Sequence, residues 1–378
     1  MIGLMPRLNI KYGFIDAFIA LKSIFTKLAP SETNIFYFNH ARTGLRLALS
    51  SLNLAKGSKI AVMVYNCYTV MNAVKTAGFE IEFIDIKDDF SIDIEDLKKK
   101  RTNFSAIIVT HLFGIPNDID IIKATCPGLP IIEDCAHAFL SSIHGNKSGS
   151  TGDLAVFSMG LGKFPSIGPG GYLVVNNSIY QDKIKELTAN LDKPSMKTEF
   201  ATILKSLTLG ILHNPLIYKY ISKPVLKERN NEVDDEIKYD NHESHILKSS
   251  LGLFFARKRN FQFQLDRQKQ HRESIITALN ESKTQIRPCE SAVYEPNGFM
   301  IPFLVENRSD YINRFQKNHI EIGSHFSKSI QWAFNFGYTD GYCANAEKIS
   351  TKMLVCPCHY NLKQKHIKLI NQLILTTI

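Results

Sequence analysis

The chain of 378 residues is long enough for two lobes, and its 44% hydrophobic content supports a substantial core. No run approaches the roughly 20 uncharged apolar residues that a membrane span requires. The net charge of +9 fits nucleic acid, an anionic membrane surface or an anionic small molecule as partner. The densest basic block, residues 257–272, has a helical pattern, and no nucleic-acid-binding motif accompanies it, so nucleic acid is not expected.

Cysteine usage favours a reducing compartment. The seven cysteines are an odd number without regular spacing, which predicts free thiols and a cytoplasmic protein. The apolar stretch at 14–25 is interrupted by Asp16 and Lys22 and lacks a small-residue cleavage site, so a signal peptide is not expected. Cys356 and Cys358 have no second Cys/His pair at ligand spacing, and no metal is expected.

Residues 1–30 are interpreted as an N-terminal helical extension. Phe14, Phe18, Leu21 and Phe25 recur at helical spacing. They predict an amphipathic helix whose apolar face packs on the body of the protein.

The next part of the chain alternates strictly between strand and helix patterns. The runs at 60–64, 81–86, 106–110 and 129–132 are mainly apolar, with Glu82 and Asp85 as exceptions in the second, and helical patterns separate them. This predicts an α/β fold. A large domain, residues 31–240, would hold a mainly parallel sheet that helices cover on both faces.

The pattern changes after residue 176. An apolar stretch at about 199–221, interrupted by Pro215, predicts a buried helical hairpin or a subunit contact, with membrane-surface association as the alternative. A polar linker follows at about 228–245, and residues 241–378 predict a smaller α+β domain. The predicted elements of that domain are a long helix at 246–279 and strands at 299–305, 319–322 and 353–356.

Two side chains are the main candidates for chemistry. Lys163 lies in a Gly-x-Gly-Lys turn, where a lysine can clamp phosphate or form a Schiff base, and Phe164 after it excludes the P-loop motif. Apolar neighbours would supply the desolvation that lowers the pKa of a Schiff-base lysine. Asp134 follows a buried strand. It can cap a turn, or it can keep the ring nitrogen of pyridoxal phosphate protonated so that the ring accepts electrons.

The position of these residues in the sheet also points to a site. Ligands bind at the carboxyl ends of parallel strands, where Asp134 and Ser158 fall. Backbone N–H groups at a helix N-terminus bind phosphate, and the first helix of the sheet domain begins near Arg42 and Thr43, which add a charge and a hydroxyl. Ser158 is placed to add another hydroxyl.

Several motifs in a fixed order carry a family resemblance. They are HARTGL at 40–45, HLFG at 111–114, EDCAH at 133–137, GSTGD at 149–153, the segment 157–163 and the glycine turn at 168–171. Together they resemble the DegT/DnrJ/EryC1/StrS aminotransferases, pyridoxal-phosphate enzymes of fold type I that aminate keto sugars on nucleotide carriers. The resemblance runs from about residue 37 to the C-terminus and is densest over 37–176.

The resemblance implies a cofactor, a reaction and an assembly. The cofactor would be pyridoxal 5'-phosphate, and the reaction would convert a nucleotide-linked keto sugar to an amino sugar with glutamate as donor, for surface polysaccharide or related glycan synthesis. A homodimer is implied, in which a loop asparagine, here Asn241, reaches the neighbouring subunit's cofactor phosphate. The implied roles are Lys163 as Schiff-base residue and general acid/base, Asp134 at the pyridine nitrogen, His137 beside the ring, and Ser158, Arg42 and Thr43 at the phosphate.

The chain departs from the family pattern at three places. Cys67 occupies the position of an aromatic residue that often stacks on the cofactor ring. Glu243 stands where an arginine is usual in the loop of Asn241, and the apolar segment at 199–221 is not typical. Two alternatives therefore stay open: a non-catalytic or regulatory protein of this fold, and a related sugar enzyme such as a dehydratase. In dehydratases of the family histidine replaces the lysine, so Lys163 argues against the second.

Overall fold

A sheet of seven strands lies at the centre of the computed structural model, which describes residues 3–28, 32–222, 242–282 and 294–376. In chain order the strands are β1 (Ile35–Phe38), β2 (Lys59–Met63), β3 (Glu80–Ile84), β4 (Ala106–Thr110), β5 (Ile131–Asp134), β6 (Ser142–Ile143), β7 (Asn146–Lys147), β8 (Leu154–Ser158), β9 (Gly171–Val175), β10 (Tyr294–Glu295), β11 (Met300–Leu304) and β12 (Met353–Pro357). The central sheet has the order β1-β9-β8-β5-β4-β2-β3. Neighbours from β3 to β8 are parallel, and β9 runs antiparallel to β8 and β1.

Helices surround this sheet and form most of the rest of the described chain. They are α1 (Phe14–Ile24), α2 (Ala41–Ser51), α3 (Tyr68–Thr76), α4 (Ile94–Lys100), α5 (Ile119–Thr125), α6 (Gln181–Ala189), α7 (Met196–Leu212), α8 (Pro215–Ile217), α9 (Lys248–Arg257), α10 (Phe261–Glu281), α11 (Arg308–Lys317), α12 (Ser329–Phe334), α13 (Ala344–Lys352) and α14 (Gln364–Leu375). A π-helical turn, Tyr218–Ser222, continues α8.

The mainly parallel sheet is confirmed. All five residues of β4 are buried, as expected of a strand that is covered on both faces. In the register of the sheet, Asp134 at the end of β5 lies between Thr110 of β4 and Val156 of β8. The carboxyl ends of three adjacent strands therefore meet around Asp134.

A second apolar cluster holds the C-terminal part together. It forms between α10, α14 and the antiparallel pair β11 and β12. The predicted strand at 319–322 is wrong. His319 has a positive φ of 66° where the chain leaves α11, and only isolated bridges form nearby, at Ile320 with Met5 and at Gly323 with Val355. The predicted long helix is divided into α9 and α10 by a 3-10 turn, Lys258–Asn260.

The predicted domain boundaries stay an interpretation. Residues 29–31 and 223–241 lie outside the described ranges. The second of these segments contains the predicted boundary at 240, most of the predicted linker and Asn241.

The N-terminal helix forms, but the prediction of which face packs on the protein is wrong. Phe14, Phe18 and Phe25 are 75%, 68% and 73% exposed. The buried face carries Ala20 and Ser23 instead, together with Ile24. Ser23 lies directly against Gly252 of α9, where any larger side chain would collide with it. Small residues let the two helix axes approach closely, and the bulky phenylalanines point away from this contact.

The apolar segment near 199–221 also packs differently from its prediction. In α7 the residues that are buried are Glu199 and Ser206, while Phe200, Leu204 and Ile211 are exposed. The expected burial of the apolar face is therefore not found. In the described part of the chain no single helix meets the length and hydropathy of a membrane span. Two consecutive segments, Met196–Leu212 and Pro215–Ile221, satisfy the length and hydropathy criteria only when they are counted together, and the chain bends by 73° between them.

Glu199 attaches α7 to α9. Its carboxylate accepts hydrogen bonds from the backbone N–H groups of Lys248 (2.7 Å) and Ser249 (3.1 Å) and from the Ser249 hydroxyl. These groups are at the N-terminus of α9, where the helix dipole favours a negative charge.

Replacing Glu199 by alanine is therefore expected to lower the free energy of unfolding by about 3 kcal/mol, because buried donors lose a charged acceptor. Chemical denaturation measures this change. Glu186→Ala, at an exposed ion pair with Lys183, is the matched control and should change stability by less than about 0.5 kcal/mol. Equal effects of the two variants would contradict the assigned role of Glu199.

The N-terminal strap, residues 3–12, passes over His359. Nε2 of this buried histidine lies 3.5 Å from the Pro6 carbonyl oxygen, and Nδ1 has no hydrogen-bond partner within the described residues. Burial lowers the pKa of His359 to about 4. As the pH falls from 6.5 to 4, the unfolded chain binds a proton before the folded chain does, so the free energy of unfolding falls.

We expect the substitution His359→Gln to remove this contribution to the fall in the free energy of unfolding at low pH. Urea denaturation, followed by the fluorescence of the single tryptophan, Trp332, would be compared at pH 7 and pH 5. The loss of stability between these pH values should be smaller by about 2 kcal/mol in the variant. His144→Gln, at an exposed histidine, should keep the wild-type loss. A wild-type loss in His359→Gln would show that other groups cause the pH dependence.

Candidate active site

A cavity of about 480 Å³ opens at the carboxyl ends of β4, β5 and β8 and at the N-terminus of α2. Its volume falls in the range of small-molecule sites, about 300–1,000 Å³. Six predicted site residues line it, namely Arg42, Cys67, Asp134, His137, Ser158 and Lys163. Residues that sequence reasoning did not single out for the site also line it, among them Asn66, Thr110, Phe326, Thr202, Lys205, Ser206 and Leu209.

Asp134 forms the buried wall of the cavity at the end of β5. It is 6% exposed, and its carboxylate accepts hydrogen bonds from the backbone N–H of Ala136 (3.0 Å) and the hydroxyl of Thr110 (3.3 Å). The side chain of Asn66 in turn donates to the Thr110 oxygen at 2.8 Å. Burial raises the pKa of Asp134, although these hydrogen bonds and the charge of Lys163 oppose the rise. A cation in the cavity would favour the charged carboxylate further.

Lys163 reaches the same cavity from the turn after β8. Its Nζ lies 2.6 Å from Nε2 of His137. The backbone N–H of Phe113 donates to Nδ1 of His137 at 3.2 Å, so in the neutral ring the proton is on Nε2. Nε2–H then donates to Nζ, which must accept with a lone pair. The geometry thus fits an unprotonated Lys163 amine.

The pKa values of this pair agree with that arrangement. Burial lowers the pKa of Lys163, although Cys67 and Asp134 oppose the change. Burial, followed by the charges of Lys163 and His325, holds the pKa of His137 well below its usual value. Burial thus shifts both groups toward their neutral forms, and a neutral amine is the nucleophilic form of a lysine.

An aromatic residue from the C-terminal part covers His137. The ring of Phe326 stacks on the imidazole with a centroid distance of 5.6 Å and an interplanar angle of 4°. Sequence reasoning did not identify Phe326, since no motif surrounds it. Cys67 lines the cavity as predicted, and its sulfur accepts a hydrogen bond from the Thr69 hydroxyl at 3.1 Å.

The start of α2 forms the end of the cavity that carries backbone donors. Its close approach to the sheet depends on Gly171, because a Cβ there would lie 2.5 Å from the backbone nitrogen of Ala41. Arg42 and Ser158 line this end. Thr43 does not line the cavity, since it is buried and its hydroxyl donates to Asn39 at 2.8 Å. The Thr43 hydroxyl, which was predicted to contact a phosphate, is therefore bonded to Asn39 instead.

The sequence of this site region matches a known family. Residues 32–204 match the model of the DegT/DnrJ/EryC1/StrS aminotransferase family. The matched segment is a little less than half of the chain.

Curated relatives match part of the chain. A GDP-perosamine synthase from Vibrio cholerae is 29% identical over 178 residues, which are 46% of this chain and 47% of the relative. A UDP-4-amino-4,6-dideoxy-N-acetyl-beta-L-altrosamine transaminase from Campylobacter jejuni is 34% identical over 158 residues, 40% of this chain and 42% of the relative. Each match therefore spans less than half of the relative's length.

Solved structures match over the whole chain. AtS13 from Actinomadura melliaura superposes with a TM-score of 0.76 at 17% identity, covering 100% of this chain and 99% of that one. The likeness confirms the predicted fold type I architecture.

The loop that contains His242 and Glu243 lies against α2 of the same chain. Glu243 forms a bidentate ion pair with Arg46, and the carbonyl oxygen of His242 accepts a hydrogen bond from Asn39 at 2.7 Å. Asn241, the predicted contact to a partner's cofactor phosphate, lies outside the described residues. Glu243 is thus neutralised within its own chain.

The family's Glu-Asp motif also contains a structural carboxylate. Glu133 accepts hydrogen bonds from Nε2 of His111 (2.9 Å) and from the backbone of Gly149, Thr151 and Gly152. His111, Glu133 and Cys135 form a buried group at metal-ligand distances. None of the three lines the cavity, and Glu133 holds the GSTGD turn against β5.

Proposed function

We propose that the chain is a pyridoxal-phosphate-dependent aminotransferase that converts a nucleotide-linked keto sugar to an amino sugar, with glutamate as donor. The observation that carries the proposal is the meeting of Lys163 and Asp134 on one cavity. Lys163 supplies an amine whose pKa is lowered, and Asp134 supplies a buried carboxylate. The match to the family model over 32–204 adds to it.

The residues of the cavity fit pyridoxal phosphate. A buried carboxylate suits a protonated pyridine nitrogen, because the cation offsets the cost of burying the charge of Asp134. The amine of Lys163 suits the aldehyde, and the N-terminus of α2 with Arg42 and Ser158 suits the phosphate. His137 would lie along the ring.

When bound, the cofactor supplies a ring that accepts the electron pair released from the substrate carbon. The carboxylate of Asp134 would hold the ring nitrogen and favour its protonated form. Lys163 Nζ takes the proton from the substrate carbon and returns it, which requires a pKa closer to neutrality than that of a free lysine. His137 orients Nζ through the 2.6 Å contact, and the ring of Phe326 stacks on His137.

The assignment of a sugar nucleotide as substrate draws on the names of the two relatives, which describe GDP- and UDP-linked amino sugars. A net charge of +9 favours such anionic substrates by electrostatic steering. We further propose a homodimer that works in the cytoplasm.

Colour and reduction test the proposal against a non-catalytic protein of the same fold. Protein purified with pyridoxal phosphate should be yellow. Borohydride should bleach it and leave the cofactor mass on the peptide that contains Lys163. Protein that stays colourless after reconstitution would favour the non-catalytic alternative.

A screen tests the substrate. Keto sugars linked to GDP or UDP would be incubated with the yellow protein and glutamate labelled in its amino nitrogen. Transfer of the label to a sugar nucleotide is the expected result. A product that has lost a hydroxyl without gaining nitrogen would indicate a dehydratase.

A further inference from the structure

The apolar helix α7 has a mostly polar stripe, and the middle and end of this stripe face the cavity. Glu199, Thr202, Ser206 and Leu209 follow one another at spacings of three, four and three residues, which places them on one side of the helix. Thr202, Ser206 and Leu209 line the cavity, together with Lys205 at its exposed rim. Hence α7, in its own chain, forms a wall of the same site that holds Lys163.

Within the stripe, Ser206 is the residue whose position most clearly indicates a contact with a ligand. It is 3% exposed and lines the cavity, yet its hydroxyl has no hydrogen-bond partner among the residues that the structure describes. A cavity-lining hydroxyl without a protein partner is available to donate to or accept from a ligand there. Thr208, which points outward on the same helix, instead bonds the Leu204 carbonyl oxygen at 2.9 Å.

Two contacts fix the position of α7. At its start, Glu199 bonds the N-terminus of α9. Near its end, Gly210 lies so close to the strap that a Cβ would be 2.0 Å from the Tyr12 carbonyl oxygen. Because both ends are held, Ser206 stays directed at the cavity.

We propose that α7 is an anion-binding wall, in which the Ser206 hydroxyl and the Lys205 ammonium bind a phosphate group of the ligand. The same cavity presents other groups suited to phosphate, namely Arg42, Ser158 and the start of α2. An ammonium group is a mobile point charge that suits phosphate at an open rim. Since the proposal rests on the proposed function, the phosphate is that of the cofactor or that of the nucleotide diphosphate.

Binding measurements with three ligands test the proposal. Dissociation constants of the wild type, Ser206→Ala and Lys205→Gln would be measured for pyridoxal phosphate and for pyridoxal by absorbance, and for UDP by calorimetry. We expect each variant to bind at least one phosphate ligand about tenfold more weakly and pyridoxal as the wild type does. Thr208→Ala and Lys197→Gln, on exposed parts of α7, are the matched controls.

The outcomes separate the two sources of phosphate. Weaker binding of pyridoxal phosphate alone assigns α7 to the cofactor, and weaker binding of UDP alone assigns it to the substrate. Changes no larger than those of the controls, or an equal loss for pyridoxal, would overturn the proposal. If the wild type binds UDP but neither pyridoxal nor pyridoxal phosphate, the proposed function is wrong. The UDP measurements would still test whether α7 binds phosphate. Circular dichroism would confirm that each variant is folded.

Discussion

Replacing Lys163 by alanine is expected to lower kcat of the amino transfer by about 10⁴-fold, the largest effect of any single substitution. The variant loses the amine that moves the proton, and no other lysine near this end of the cavity contacts His137 within the described residues. Steady-state kinetics with a keto-sugar nucleotide and glutamate measures the loss. Borohydride should no longer attach the cofactor to the protein.

The control for this experiment is Lys183→Ala, at an exposed lysine of α6 that pairs with Glu186. It should keep both the rate and the borohydride attachment of the wild type. A Lys163→Ala variant that retains more than about a tenth of the wild-type kcat would rule out the role assigned to this amine, whatever its colour.

Replacing Asp134 by asparagine is expected to lower kcat by about 10³-fold. The amide oxygen can still accept the hydrogen bond from the Ala136 N–H, and the amide NH2 can donate to the Thr110 hydroxyl oxygen in place of the second carboxylate oxygen, so the end of β5 should keep its shape. The amide carries no charge, however, and a pyridine nitrogen opposite it would no longer be held protonated. Kinetics measures the change, and the absorbance of the bound cofactor reports its protonation state.

Glu133→Gln provides the contrast. Glu133 precedes Asp134 in the chain but lies outside the cavity and holds the GSTGD turn. We expect Glu133→Gln to lower thermal stability and to leave the rate per folded molecule within about tenfold of the wild type. If Asp134→Asn kept a wild-type rate, or if the two variants had the same kinetics, Asp134 would have no electrostatic role.

The exposed apolar residues of α1 and α7 give the protein two apolar surfaces. Phe14, Phe18, Leu204 and Ile211 point away from the core of their own chain. The proposed homodimer would be consistent with apolar surface of this kind, since such surface is common at subunit contacts.

Much of the sheet and part of the site could be predicted from the sequence. The runs that became β2, β4 and β8 are almost wholly apolar because both faces of a parallel sheet are covered, and this pattern is local. Strand β3 carries Glu82, and β5 ends in Glu133 and Asp134. Asp134 and Ser158 could be placed at one edge because parallel strands end together. The lysine was found through its glycine turn and the resemblance to a family. These signals depend only on neighbours in the chain.

Contacts between distant segments decided the rest. The sequence predicted that the phenylalanine face of α1 would be buried, but the closest packing was available to Ser23 against Gly252, so the small face turned inward. In α7 the polar stripe was buried because Glu199 satisfies the start of α9 and Ser206 faces a cavity. Hydropathy alone predicts the opposite orientation, because it does not include the hydrogen-bond partners that a polar side chain finds in the folded protein.

The chain by itself determined that a lysine and an acid follow two buried parallel strands, because strand patterns and turn residues are set by local chemistry. Only the tertiary structure decided that His137 would turn Nε2–H toward Lys163, that Phe326 would cover it, and that Thr43 would bond Asn39. These contacts join residues whose geometry is set by packing and by the need to pair buried polar groups.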